Sequence, residues 1–157
     1  MRIRLVFATP DTESLHLFQS LLVSALELTP LDVTAAHAAS EEALFQRVAE
    51  QCDDVVVVDW LLVHEGTPAL VRELVQRSPR LRIVALLPLT YRQYRREVWQ
   101  AGACSSIAKE HMEQEWLSSV LCIMHRAMER EARLLAAFES GQLLAPDKQG
   151  CCAEVVK

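Results

Sequence analysis

Val55-Val56-Val57-Val58-Asp59-Trp60 decides the reading of this chain. Four β-branched residues in a row suit a strand covered on both faces, as in a parallel α/β sheet, and the run stops on a carboxylate. In such sheets the reactive crevice lies outside the carboxyl ends of the strands. An acid at that place is either a functional group or one whose burial needs a partner.

Outward from this strand, apolar periodicity alternates between two kinds of segment. Ile3–Ala8 reads as a first strand, and Thr9-Pro10 as a helix start with threonine as N-cap. Leu15, Phe18, Leu21, Leu22 and Leu26 line the first helix. A second strand is expected over Leu31–Ala38 and a second helix after Ser40, with Leu44, Phe45 and Val48 inward. After Asp59 come a loop with His64, a helix opened by Thr67-Pro68, a strand over Leu81–Leu87, and a helix over Tyr91–Ala101 ending at Gly102. A short strand, Ser105–Lys109, precedes a long helix from Gln114 to about Phe138. Five strand-then-helix units imply a flavodoxin-like, doubly wound parallel α/β sheet, (βα)5, with an extended C-terminal helix.

Composition narrows the function classes. The chain has 157 residues, 51% of them hydrophobic, enough for one domain with a modest extension. A net charge of −5 argues against nucleic-acid binding by this domain, and Arg92, Arg95 and Arg96 form only a small cluster. There is no membrane-spanning run and no signal-peptide layout at Met1-Arg2-Ile3-Arg4-Leu5, so a cytoplasmic protein is expected. Cys52, Cys104 and Cys122 read as buried thiols, while Cys151 and Cys152 lie in the tail. No Cys or His pair has metal-ligand spacing, and no metal or other cofactor is expected beyond weak magnesium binding at most.

Ala8-Thr9, Asp59, Leu87-Pro88 and Lys109 should converge at one crevice, and here the chain resembles the receiver domains of two-component response regulators. The resemblance covers roughly four-fifths of the chain, Arg2 to Arg126, and rests on Val55–Asp59 with Trp60, the Ala101-Gly102-Ala103 turn, and Lys109 seven residues after that glycine. It implies that Asp59 matches a phosphoryl-accepting aspartate and Lys109 the lysine that pairs with the phosphoryl group. It also implies an acid pair that helps hold magnesium and a hydroxyl residue that binds the phosphoryl group. Those positions carry Ala8 and Thr9, and Leu87. Glu110 and Val63 stand where prolines are usual. Magnesium seeks several hard oxygen ligands, so this is a degenerate set. Asp11 and Glu13 either substitute for the acid pair or serve the dipole of the first helix.

Two readings of Asp59 and Lys109 follow: a permanent salt bridge in an atypical pseudo-receiver that acts through protein–protein contact, or a working phosphorelay receiver served by a histidine kinase. Neither is an enzyme. A third reading, a flavodoxin-like cofactor binder, is opposed by the lack of a glycine-rich phosphate loop in a chain with four glycines. His64 reads as a solvated loop residue, and Asp53 and Asp54 as lying at the far end of their strand. Tyr91, Tyr94, Trp99 and Trp116 mark a candidate interaction face, since helix four, strand five and helix five often form the contact face in the resembled family. Partners would be proteins: a histidine kinase, an output domain, or a second copy through helices four and five. Leu117, Val120, Met124, Ala127, Leu134 and Phe138 approximate a heptad seam, with Glu129 and Arg133 an i,i+4 pair, and read either as a coiled coil or as a solvated linker. The expected organisation is a receiver-like domain over residues 1–126, an extended helix or linker over 127–140 and a polar, disordered tail over 141–157.

Overall fold

A computed structural model describes residues 1–141. The expected tail falls outside the described residues apart from Gly141, as do Cys151 and Cys152. The strands are β1 (Ile3–Ala8), β2 (Val33–Ala38), β3 (Val55–Asp59), β4 (Arg82–Leu87) and β5 (Ser105–Ala108). The helices are α1 (Thr12–Leu28), α2 (Glu41–Glu50), α3 (Thr67–Arg77), α4 (Arg95–Ala101) and α5 (Gln114–Glu139). All four strand pairings are parallel, in the order β2-β1-β3-β4-β5, which is the flavodoxin-like topology.

The central strand explains the arrangement. Every residue of β3 is buried, so it must be covered on both faces. Val56 and Val58 join Val6, Ala8, Leu44, Leu70, Val71, Leu74 and Ile83 in one apolar cluster beneath α2 and α3. Val55 and Val57 alternate to the other face. There Phe7 stacks on Phe18 of α1, with ring centroids 4.2 Å apart. The hydroxyl of Ser118 on α5 donates to that of Thr29 at 2.8 Å, tying α5 to the end of α1. At the amino ends of the strands Asp53 and Asp54 bind Arg47 and Arg4, far from the crevice as expected.

Compact contacts group Met1–His125 as one unit and place Arg126 onward in a second. Within the first unit Leu117, Leu121 and Met124 of α5 are buried while Val120 is only half-buried. In the second, Ala127, Leu134 and Phe138 are exposed, and Arg133 pairs with Glu129 at 3.8 Å. The buried stripe thus runs through Leu121 rather than Val120. Among the described residues no helix is long and apolar enough to cross a membrane.

Several local expectations are corrected. Thr9 does not cap α1: its hydroxyl is directed to Asp59, and Asp11 caps the helix by accepting the Ser14 N–H. Thr67 is the first residue of α3 rather than its cap, and its hydroxyl donates to the His64 carbonyl at 2.7 Å. β2 starts at Val33, just after Asp32, whose carbonyl accepts the Ile3 N–H and whose carboxylate holds Arg2. The segment expected to open helix four is 3₁₀ over Leu89–Tyr94, kinked at Tyr91, and α4 proper begins at Arg95. Cys52 and Cys104 are exposed and Cys122 half-buried, not core thiols. The first two lie in connections to β3 and β5, and Cys122 flanks the buried stripe of α5.

Candidate functional site

The carboxyl ends of β1, β3 and β5 meet around Asp59, whose side chain is fully buried. Its Oδ2 accepts the Thr9 hydroxyl at 2.7 Å and the Lys109 ammonium at 3.0 Å. Its Oδ1 accepts the Leu61 N–H at 3.4 Å, at the start of the 3₁₀ turn Trp60–Leu62. A buried carboxylate needs such donors, and hydrogen bonds to a charged group contribute about 1.5–3 kcal/mol each. The site residues Asp59, Thr9 and Lys109 are therefore brought together by strand order. β1 lies beside β3, and Lys109 follows β5 and reaches past the end of β4.

Thr9 is itself held on three sides. Its hydroxyl oxygen accepts the Asp11 N–H at 3.1 Å while its proton goes to Asp59. Its carbonyl lies 2.7 Å from His37 Nε2. A carbonyl can only accept, so that ring nitrogen must carry the proton. The sequence reading passed over His37; the signal available was its place at the carboxyl end of the strand that neighbours β1. The Asp11 carboxyl is held below the usual carboxylate range, first by the Ser14 hydroxyl at 2.5 Å and the Ser14 N–H, with the charge of Lys109 adding to this against partial desolvation.

Ala8 and Leu87, at the ends of β1 and β4, are apolar. Ala8 is buried in the main cluster and offers no ligand. Leu87 is buried with Ala85, Val98 and Trp60. Trp60 is itself 1% exposed, stacked on Tyr91 with centroids 4.5 Å apart and tilted against Tyr94 at 4.9 Å. Of the expected interaction face, Tyr91 and Tyr94 thus turn inward onto Trp60 and are half-buried. Trp99 is 51% exposed beneath the Arg95 guanidinium, and Trp116 is half-buried at the start of α5. His64 is exposed, in left-handed backbone, with its ring at the edge of Trp60.

These donors do not fit a divalent cation. The crevice offers one carboxylate and one neutral hydroxyl, and the carboxylate oxygen that a cation would use is already engaged by the hydroxyl, whereas magnesium is held by one or two free carboxylates with water completing its shell. An ammonium lies 3.0 Å from the carboxylate and repels a second cation. Oδ2 of Asp11 is engaged by the Ser14 N–H and hydroxyl. No group of three or more His, Cys, Asp or Glu suited to a metal occurs among the described residues.

No family model and no curated protein sequence matches the chain. Solved structures do match its fold. The signal receiver domain of an HD domain-containing protein from Pseudomonas fluorescens Pf-5 superposes with a TM-score of 0.68 at 21% identity, over 83% of this chain and 93% of that one. A response regulator receiver domain protein from Clostridium thermocellum gives 0.66 at 19%, over 84% and 98%. A putative pilus assembly protein from Burkholderia thailandensis E264 gives 0.65 at 17%, over 79% and 98%. In fold, the chain is similar to the receiver domains of response regulators.

Proposed function

We propose that this chain is a receiver-type signalling module whose phosphorylation pocket is replaced by a fixed internal clasp, and that it works by protein–protein contact. The observation that carries this reading is the engagement of Asp59 Oδ2 by both Thr9 and Lys109. Phosphoryl transfer to a carboxylate depends on cations that neutralise developing charge on the incoming group. Here the Lys109 ammonium is spent on the resting carboxylate. Leu87 brings no hydroxyl to a phosphoryl oxygen and instead packs with Trp60, Ala85 and Val98. The module then holds one state, and its message is the surface it presents to a partner protein or an output domain.

Incubation with acetyl phosphate and magnesium, followed by intact-mass spectrometry, tests this directly. No phosphoryl adduct and no change in Trp60 emission are expected, with Trp60→Phe as the control for Trp99 and Trp116. A stoichiometric, magnesium-dependent adduct that disappears in Asp59→Asn would overturn the reading in favour of a phosphorelay receiver served by a histidine kinase.

A further inference from the structure

A cavity of about 330 Å³ opens between the Leu89–Tyr94 segment, α4 and β5. Its character differs from that of the clasp. Leu87 and Leu89 give an apolar floor, while Arg92, Arg95, His111 and the Ser106 hydroxyl supply donors. Arg95 is positioned from two sides: its Nε donates to Ser106 Oγ at 3.2 Å, and its guanidinium lies over the Trp99 ring, 4.9 Å from the centroid. Neither contact neutralises its charge, and the terminal guanidinium nitrogens keep their donors. Among the described residues Arg92 and Arg95 form no ion pair with a carboxylate. Glu110, outside the lining, accepts the Leu89 N–H at 3.1 Å and keeps its charge, one acid against the two arginines.

We propose that this pocket takes an acidic side chain carried on an apolar segment of a partner protein. Two arginines without an acidic partner form a concentrated positive spot on a chain whose net charge is −5, which selects a carboxylate by charge complementarity. The apolar lining, Leu87, Leu89 and Ile107, with Leu89 46% exposed, selects apolar neighbours for that carboxylate. A nucleic acid would instead call for a longer basic track than this single pocket supplies. The proposal rests on the reading of the chain as a protein-contact module and names the chemistry of the contact.

The probe is a synthetic peptide of alternating aspartate and leucine, titrated into isotope-labelled full chain and followed by amide chemical shifts. Saturable shifts centred on Leu89, Ser106 and His111 are expected. Arg92→Gln with Arg95→Gln should weaken binding about ten-fold or more, as should replacing the aspartates of the peptide by asparagine. Arg92→Glu makes the same test without touching the Arg95–Ser106 bond. Shifts centred on another face would overturn the pocket while leaving the protein-contact reading intact. So would affinity indifferent to either arginine, no saturable shift, or displacement of the peptide by a single-stranded oligonucleotide of equal length. Phosphorylation of Asp59 would overturn the clasp without touching this pocket.

Discussion

Thr9→Val isolates the clasp. Valine keeps the shape of threonine but removes the hydroxyl that donates to Asp59 Oδ2 at 2.7 Å inside a fully buried site. A hydrogen bond to a charged group contributes about 1.5–3 kcal/mol, and its loss leaves the carboxylate less well solvated by the protein. The second bond of the hydroxyl, from the Asp11 N–H, matters less because Asp11 is only half-buried and water can replace it. We expect a loss of about 2–3 kcal/mol, equivalent to roughly 30- to 150-fold in the folding equilibrium. The melting temperature should fall by roughly 5–10 °C for a chain of this size. Urea unfolding followed by tryptophan emission measures this, with an unchanged denaturant slope as evidence that only stability moved. The same substitution in an Asp59→Ala background should cost close to nothing, since the bond is already gone. A cost below about 0.5 kcal/mol in the parent, or an equal cost in both backgrounds, would refute the clasp as a source of stability.

Lys109→Met should cost about 2–4 kcal/mol by urea unfolding, less than for a fully buried pair because the lysine side chain is 21% exposed. Asp11→Ala should destabilise at neutral pH by removing the cap of α1. Because the folded carboxyl sits below its ordinary value, that contribution is complete above the unfolded pKa of about 3.9 and disappears as pH falls through the folded value. The gap between parent and variant should therefore close only in strong acid, as urea midpoints across pH would record. Gly102→Ala should cost about 1–3 kcal/mol: its φ is +115°, and an added Cβ would stand 2.9 Å from Val75 Cγ2. A thermal melt identical to the parent would contradict that.

The parallel sheet was legible because Val55–Val58 and Ile83–Leu87 are buried nearly throughout, and a strand covered on both faces writes its burial into composition. Asp59 was legible as a strand-end residue for the same reason, whereas Lys109 follows the mostly half-buried β5 and was legible through its spacing from Gly102. The partner of Asp59 was not. Thr9 before Pro10 satisfies the local rule for a helix cap, and only the register of β1 against β3 turns its hydroxyl across to a residue fifty positions away. His37 escaped for the same reason: its contact is with the neighbouring strand end and leaves no trace in local periodicity. Tyr91 belonged to a plausible helix, and its stacking on Trp60 accompanies a 3₁₀ kink that propensity does not register. The isolated cysteines misled because an apolar neighbourhood in sequence is not a buried one when the residue sits in a connection.

The clasp also bears on how the fold comes apart. Both of its bonds to Asp59 join residues fifty positions apart in the chain, and together they bridge the ends of β1, β3 and β5 across β4. Closing such separations is entropically expensive until the strands between them are paired, so these bonds should form after the folding barrier rather than on the way to it. Weakening them should then leave the refolding rate nearly untouched and fall almost wholly on the rate of unfolding. A residue group that in a switchable fold would time a signal would here set the lifetime of the folded state.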